Sequence, residues 1–187
     1  MPKLSTIRGK AFTKQKSLLA RVNQFGDLEI NTVTMGNPEK FARLKITEQR
    51  LYGSEGRDLY NKLLSNKDSL TPRQLREIDM LGNRLKYSRE MVGDSIKSVI
   101  DHEMMHHYSH GSHLLESDAR VTFKSAWRQA TGESLKSEYK YKISAYGGEG
   151  VFDKVEEHIA ESYAAYRLGE TGNIHPQLLK FFRENLK

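Results

Sequence analysis

The sequence contains no cysteine. Disulfide bonds, thiolate metal ligands and a cysteine nucleophile are therefore excluded, and the chain fits a protein that works in a reducing cytosol or leaves the cell without oxidative folding. The sequence also has no run of about 18 apolar residues, the length needed to cross a bilayer, and residues 1 to 8 lack the apolar stretch of a signal peptide. We expect a cytoplasmic protein without a membrane-bound segment.

Acidic residues are absent from positions 1 to 26, although the whole chain carries 24 of them against 30 lysines and arginines. The same segment is basic and has an apolar spacing typical of a short helix over residues 10 to 25. We predict a basic N-terminal arm with this short helix over residues 1–26 and one domain over residues 27–187. The positive charge of the arm would attract nucleic acid or an acidic partner, or would simply be solvated.

Alternating apolar and polar residues at 28–35 and 41–46 predict a small β-sheet. Most of the remaining chain has helical periodicity, with a flexible turn predicted at Gly147 to Gly150. Among the helices expected are those over residues 71–85, 112–130, 151–168 and 176–186. These elements predict an α+β fold that is mainly α, with a small β-sheet.

The stretch His102-Glu103-Met104-Met105-His106 has the spacing H-E-x-x-H. Residues four apart lie one turn apart on a helix, so His102 and His106 can converge on one metal ion. Glu103 lies beside that face, where its carboxylate can take a proton from an attacking water molecule. This spacing predicts a catalytic metal site.

The helix that carries this motif is expected to begin at Asp94 or Ser95, since either side chain can cap it. Ile96, Ile100 and Met104 follow one stripe that is predicted to face the core, which leaves the histidines free to face a cleft. The alternative is a solvated helix that is rich in histidine and binds no metal.

Two histidines leave a catalytic zinc site one protein ligand short, because such sites typically use three. Glu157 and Glu161 lie four residues apart on the predicted helix 151–168, which can bring one carboxylate to the metal and the other to a ligand histidine. Asp118 is a further candidate, and a solvated helix face would also account for the two glutamates.

Three stretches together resemble the gluzincin metallopeptidases of the anthrax lethal-factor type, including small phage and bacterial members. They are His102 to His106, Ile143-Ser144-Ala145-Tyr146, and Glu157 to Tyr166. The resemblance covers roughly residues 94 to 170. It implies a zincin-like fold, a peptidase activity and one zinc per chain.

The resemblance also implies residue roles. It makes three residues the zinc ligands: His102, His106 and Glu157. Glu103 becomes the general base, Glu161 the carboxylate that supports a ligand histidine, and Tyr146 the hydroxyl that stabilises the oxyanion. The chain departs from the family pattern between Tyr146 and Glu157, where it is longer by about the insert 147–150. The alternatives to Tyr146 are Tyr139, Tyr141, Tyr163 and Tyr166.

These observations favour a zinc metallopeptidase that acts on a polypeptide. The protein could be encoded by a phage or associated with a virion. By analogy, an extended substrate would pair with an edge strand at 28–35 or 41–47. Two other functions fit the sequence. One is a non-enzymatic phage or virion assembly protein with a structural zinc site, and the other is a nucleic-acid-binding protein that uses its basic N-terminal half.

Overall fold

The computed structural model describes residues 6–14, 18–23, 25–92, 95–110, 139–149 and 155–186. Within these ranges the protein is mainly helical with one small sheet, which confirms the predicted mainly α composition. The strands are β1 (Ile7–Lys10), β2 (Ala20–Val22) and β3 (Leu28–Asn31). The helices are α1 (Pro38–Tyr52), α2 (Ser54–Leu64), α3 (Pro72–Arg84), α4 (Ile96–His110), α5 (Tyr139–Lys142), α6 (Ala145–Glu149), α7 (Val155–Arg167) and α8 (Pro176–Asn185).

The central strand of the sheet is β3, although it is the last of the three in the chain. β1 runs parallel to it, with Ile7 opposite Leu28, and β2 runs antiparallel, with Val22 opposite Leu28. Successive residues of a strand point to opposite faces of a sheet. Leu28 and Ala20 pack with Val99 of α4 in one buried cluster. The sheet therefore has an apolar face toward α4 and a charged face on the other side.

The short helix predicted over residues 10 to 25 is wrong, because β2 lies within this range. Leu19 and Ala20 are buried, whereas Phe25 is 72% exposed after the strand ends. Pairing with β3 satisfies the backbone of β2, and this distant partner is not visible in local periodicity. β1 and β2 come from the predicted arm and β3 lies beyond it, so one sheet joins the two predicted regions.

The strand predicted over residues 41 to 46 is also wrong, because these residues belong to α1. The Asn37 side chain accepts a hydrogen bond from the Lys40 N–H at 3.0 Å, and Pro38 occupies the first turn. These are strong helix-start signals, and they prevail over the alternation that follows. Of the predicted strand 28–35, only residues 28–31 are extended. Since β3 is central, the edges among the described strands are β1 and β2.

Two predicted helix starts are confirmed by reciprocal side-chain caps. The Gln74 N–H donates to the Thr71 hydroxyl at 3.4 Å, and the Thr71 N–H donates to the Gln74 side chain at 2.9 Å. At the start of α4 the Ser98 N–H donates to the Ser95 hydroxyl at 3.2 Å, and the Ser95 N–H donates to Ser98 at 3.3 Å. Ser95 is therefore the residue that caps the motif helix.

Helix α4 lies between the sheet and α7. Val99 packs in the cluster under the sheet, whereas Met105 and Tyr108 pack with residues of α7 and α8. The predicted core stripe is wrong at its first position, because Ile96 is 45% exposed, and Met104 is only half-buried. Because α4 packs against the sheet on one side and against α7 on the other, its buried surface is broader than a single apolar stripe.

The flexible turn predicted at Gly147 to Gly150 is wrong over residues 147 to 149, which belong to α6. A Cβ atom at Gly147 would lie 3.1 Å from the Glu161 Cβ, and one at Gly148 would lie 2.1 Å from a ring carbon of Tyr87. These glycines allow a close approach of α6 to its neighbours. The absence of a side chain at these two positions lets α6 pack directly against Glu161 and Tyr87.

Gly169 closes α7 just beyond its last residue Arg167, as predicted, and adopts a left-handed conformation with φ of 82°. The Glu170 N–H donates to the Ala165 carbonyl and the Gly169 N–H to the Tyr166 carbonyl, both at 3.0 Å, which is a Schellman motif. α8 matches the predicted last helix. The predicted helix 112–130 and Asp118 lie outside the described residues. Among the described helices, none has the length and apolar character needed to span a bilayer.

Candidate metal centre

Helix α4 projects His102 and His106 from the same side, one turn apart. Their ring centroids are 4.7 Å apart and the rings are inclined by 75°. The His102 side chain is 4% exposed and that of His106 is 16% exposed, so His102 is buried and His106 retains some contact with solvent. Capping by Ser95 and packing on both sides fix the helix that holds them.

Helix α7 brings the Glu157 carboxylate to these two rings. The Glu157 Oε2 atom lies 3.1 Å from the Nε2 atom of His102 and 3.1 Å from that of His106, and the two Nε2 atoms are 3.0 Å apart. Among the described residues this is the His, Asp or Glu cluster able to hold a metal ion. Tetrahedral bonds of about 2.0–2.1 Å would place ligand atoms about 3.3 Å apart. The donor set therefore fits zinc with a small outward adjustment.

Glu161 is completely buried behind the cluster, and both of its oxygens are occupied. Its Oε1 lies 2.7 Å from the His102 Nδ1, and its Oε2 accepts hydrogen bonds from the Val92 N–H at 2.5 Å and the Ser144 hydroxyl at 2.6 Å. A proton on the His102 Nδ1 leaves the Nε2 lone pair directed at the centre. Glu161 thus sets the orientation and the tautomer of a ligand histidine.

The charges at the centre favour a cation between the side chains. Burial lowers the pKa of His102, but hydrogen bonds with Glu157 and Glu161 outweigh burial and raise it to about 10. Burial also raises the pKa of Glu157, yet hydrogen bonds with His102 and His106 hold it well below its ordinary range. The two carboxylates therefore stabilise the protonated, positively charged form of His102. A divalent ion bound at the same position would replace that proton.

Glu103 lies at the same centre without being one of the three clustered ligands. Its Oε2 accepts a hydrogen bond from the backbone N–H of Val22 at 3.2 Å, so strand β2 holds its carboxylate. Burial raises the pKa of Glu103, and the nearby histidines oppose this effect. A carboxylate with a raised pKa is a better proton acceptor, as a general base must be.

Tyr146 projects from α6 toward His102, with a ring-centroid distance of 5.9 Å. Its backbone N–H donates to the Glu90 carbonyl at 2.8 Å, which anchors this end of α6 to the segment before α4. Burial of the hydroxyl and the negative charge of Glu157 raise the pKa of Tyr146, so the phenol stays protonated and can donate a hydrogen bond.

The alternative tyrosines make contacts elsewhere. Tyr163 is buried and packs on Phe182, and Tyr166 contacts the same ring. Tyr139 lies against His175, and Tyr141 lies against Tyr87. Of the five tyrosines considered from the sequence, Tyr146 is the one with a described contact to the histidine pair.

Three groups at the centre have no role in the sequence-based prediction. In the sequence Ser144 stands in the stretch Ile143 to Tyr146 without an assigned role, and the backbone N–H groups of Val92 and Val22 have none either. The hydrogen bonds from these groups to Glu161 and Glu103 span 17, 69 and 81 positions. No local pattern in the sequence indicates such contacts, although the position of Ser144 two residues before Tyr146 is a partial signal.

Comparison of the chain with protein-family models, curated proteins and solved structures returned no match. The functional assignment therefore depends on the geometry of the centre.

Proposed function

We propose that the protein is a zinc-dependent metallopeptidase with a zincin-like fold, which hydrolyses peptide bonds of a polypeptide substrate. The observation that carries the proposal is the triangle of ligand atoms from His102, His106 and Glu157, with separations of 3.0 to 3.1 Å. Two further observations support the proposal: Val22 holds the Glu103 carboxylate, and the Tyr146 ring lies 5.9 Å from the His102 ring. His102, His106 and Glu157 would hold a zinc ion there, and the ion would supply Lewis acidity for the scissile carbonyl and the attacking water.

The residues of the chain supply the proton transfers and the orientation. Glu103 takes a proton from the attacking water as the oxygen–carbon bond forms, and it then gives that proton to the leaving amine nitrogen as the carbon–nitrogen bond breaks. The Tyr146 hydroxyl donates a hydrogen bond to the carbonyl oxygen while negative charge develops there. Glu161 holds the His102 ring in place throughout. The products are a carboxylic acid and an amine, which at neutral pH become a carboxylate and an ammonium group.

The decisive experiment compares the wild-type protein with Glu103→Gln. Glutamine has the same shape and can still accept the Val22 N–H, but it cannot remove a proton. We expect both proteins to contain about one zinc per chain by elemental analysis and to melt at the same temperature, whereas only the wild type cleaves unfolded casein. Cleavage should stop with a chelator and return with added zinc.

Two outcomes would contradict the proposal. One is undiminished cleavage by Glu103→Gln, because the proposed proton acceptor would then be dispensable. The other is the absence of any bound transition metal in protein purified without chelator. A protein that loses melting temperature on chelation but never cleaves would instead carry a structural zinc site.

A further inference from the structure

The charged face of the sheet has two layers. Asp27 and Glu29 are each 4% exposed and form the lower layer. Arg8 pairs with Asp27, while Lys10 and Arg21 each contact Glu29 at 2.8 Å. The three cationic side chains are 55%, 48% and 41% exposed, so they form the layer that a ligand would meet.

These cations line an open groove of about 550 Å³. Val22, Asn23 and Phe25 also line the groove, and Phe25 is 72% exposed. Three positive groups face two carboxylates, which leaves one unit of positive charge in excess on the solvent side. The groove therefore combines cationic hydrogen-bond donors with an exposed aromatic ring.

The groove adjoins the metal centre through one residue. Val22 lines the groove, and the N–H of the same residue donates to the carboxylate of Glu103. β2 lies at an edge of the sheet, so within the part of the chain that the structure describes no other strand lies between β2 and the Glu103 carboxylate. Arg21 directly precedes Val22 in β2, so a segment that pairs along this edge strand would place alternate side chains on the charged face beside Arg21.

We propose that this groove is a specificity subsite, which selects polypeptide segments with acidic side chains on one side of the scissile bond. The proposal rests on the proposed peptidase function for the meaning of the scissile bond, although binding to the groove can be measured without hydrolysis. The Arg8 and Arg21 guanidinium groups can each donate to a substrate carboxylate while keeping their bonds to Asp27 and Glu29. Phe25 would contact an apolar part of the same segment.

An acidic polypeptide fits the groove better than a nucleic acid does. Nucleic acids bind through many phosphate contacts along an extended basic surface. This groove offers three cations, and the carboxylates of Asp27 and Glu29 lie directly beneath them. A phosphate backbone would be repelled by that layer along most of its path, whereas one or two carboxylate side chains need only the cations above it.

The first test measures binding of fluorescent peptides by anisotropy, using a glutamate-containing peptide and its glutamine counterpart. We expect the wild type to prefer the glutamate peptide and the preference to weaken with salt. Arg21→Gln should reduce affinity for the glutamate peptide about three- to fivefold, and Arg21→Lys should retain most of it. The matched control is Arg73→Gln, which removes the same charge from an 84% exposed side chain on α3.

The second test compares cleavage of peptides that differ only by glutamate or glutamine near the scissile bond. Glu103-dependent cleavage with equal kcat/KM and equal binding for both peptides would overturn the subsite but not the peptidase. A wild-type preference in binding that Arg21→Gln removes, without any hydrolysis, would support the subsite and overturn the peptidase. Tighter binding of duplex DNA than of the glutamate peptide, with the same sensitivity to Arg21→Gln, would assign the groove to nucleic acid and overturn the proposal.

Discussion

Glu157 and Glu161 share one helix face but have different surroundings. The Glu157 side chain is 15% exposed and its Oε2 faces both imidazole rings. Glu161 is sealed from solvent, and its two oxygens are occupied by His102, Val92 and Ser144. The first carboxylate can therefore donate electrons to a metal ion, whereas the second can act only through His102.

This difference predicts a ranking of zinc affinities. Glu161→Gln should weaken zinc binding about 10- to 100-fold, because His102 loses the charged partner that orients it. Glu157→Gln should weaken binding more, because a ligand is lost. Competition with a chelator of known affinity measures both values, and Glu156→Gln on the same helix is the matched control. The reverse ranking would exchange the roles of the two glutamates.

Residue spacing predicts the ligand atoms because a helix places positions i and i+4 on one side. His102 with His106, and Glu157 with Glu161, follow from that rule and meet as expected from their two helices. The i, i+4 spacing does not predict the groups that donate hydrogen bonds to Glu161 and Glu103. Val92 and Val22 contribute backbone N–H groups, which every residue except proline has, so their identity in the sequence carries no signal.

At the scale of the secondary-structure elements, the short helix α6 depends on small residues where it contacts Tyr87 and Glu161. A Cβ at Gly148 would lie 2.1 Å from the buried Tyr87 ring, so Gly148→Ala forces the ring or the helix to move. We expect a loss of about 1–3 kcal/mol in the free energy of unfolding, together with lower peptidase activity, because Tyr146 lies on this helix. Urea denaturation monitored by circular dichroism measures the first effect.

The control for this substitution is Gly172→Ala. A Cβ at Gly172 meets no atom within 4 Å, and the residue does not have a positive φ. The free energy of unfolding of Gly172→Ala should therefore differ little from that of the wild type. Equal stability of Gly148→Ala and the wild type would show that α6 is not packed against Tyr87 as described.

Elements with local start signals could be predicted, and those that depend on distant partners could not. Thr71 and Ser95 cap their helices with residues three positions away, so the sequence itself contains both partners. β2 becomes a strand because it pairs with β3, and its apolar spacing also fits a helix. In α1 the cap at Asn37 competes with an alternating pattern, and only the structure shows which one prevails.

At the scale of the whole molecule, the sheet makes stability sensitive to acid. Hydrogen bonds from Asn23 and Thr6 lower the pKa of Asp27, and those from Lys10 and Arg21 lower the pKa of Glu29. The unfolded chain therefore binds protons more readily than the folded protein does. The stabilisation is fully present above the ordinary carboxyl pKa of about 4 and is lost as the pH falls through the lowered folded values.

We expect the urea midpoint of the wild type to fall between pH 5 and pH 2. The double variant Asp27→Asn, Glu29→Gln should start from a lower midpoint at neutral pH and lose less over the same range. Other acidic groups contribute to both proteins and cancel in the comparison. Parallel curves for the two proteins would mean that these carboxylates do not stabilise the sheet.

The position of β3 between two strands that precede it has a consequence for protein synthesis. While the chain is being made, β1 and β2 emerge before the strand that joins them, and the sheet forms only when β3 follows. The carboxylate that Val22 holds comes 81 positions after it, and the glutamates of α7 emerge later still. The nascent chain therefore lacks the complete set of side chains of the proposed zinc centre until residue 161 has been added, so the proposed activity can arise only late in synthesis.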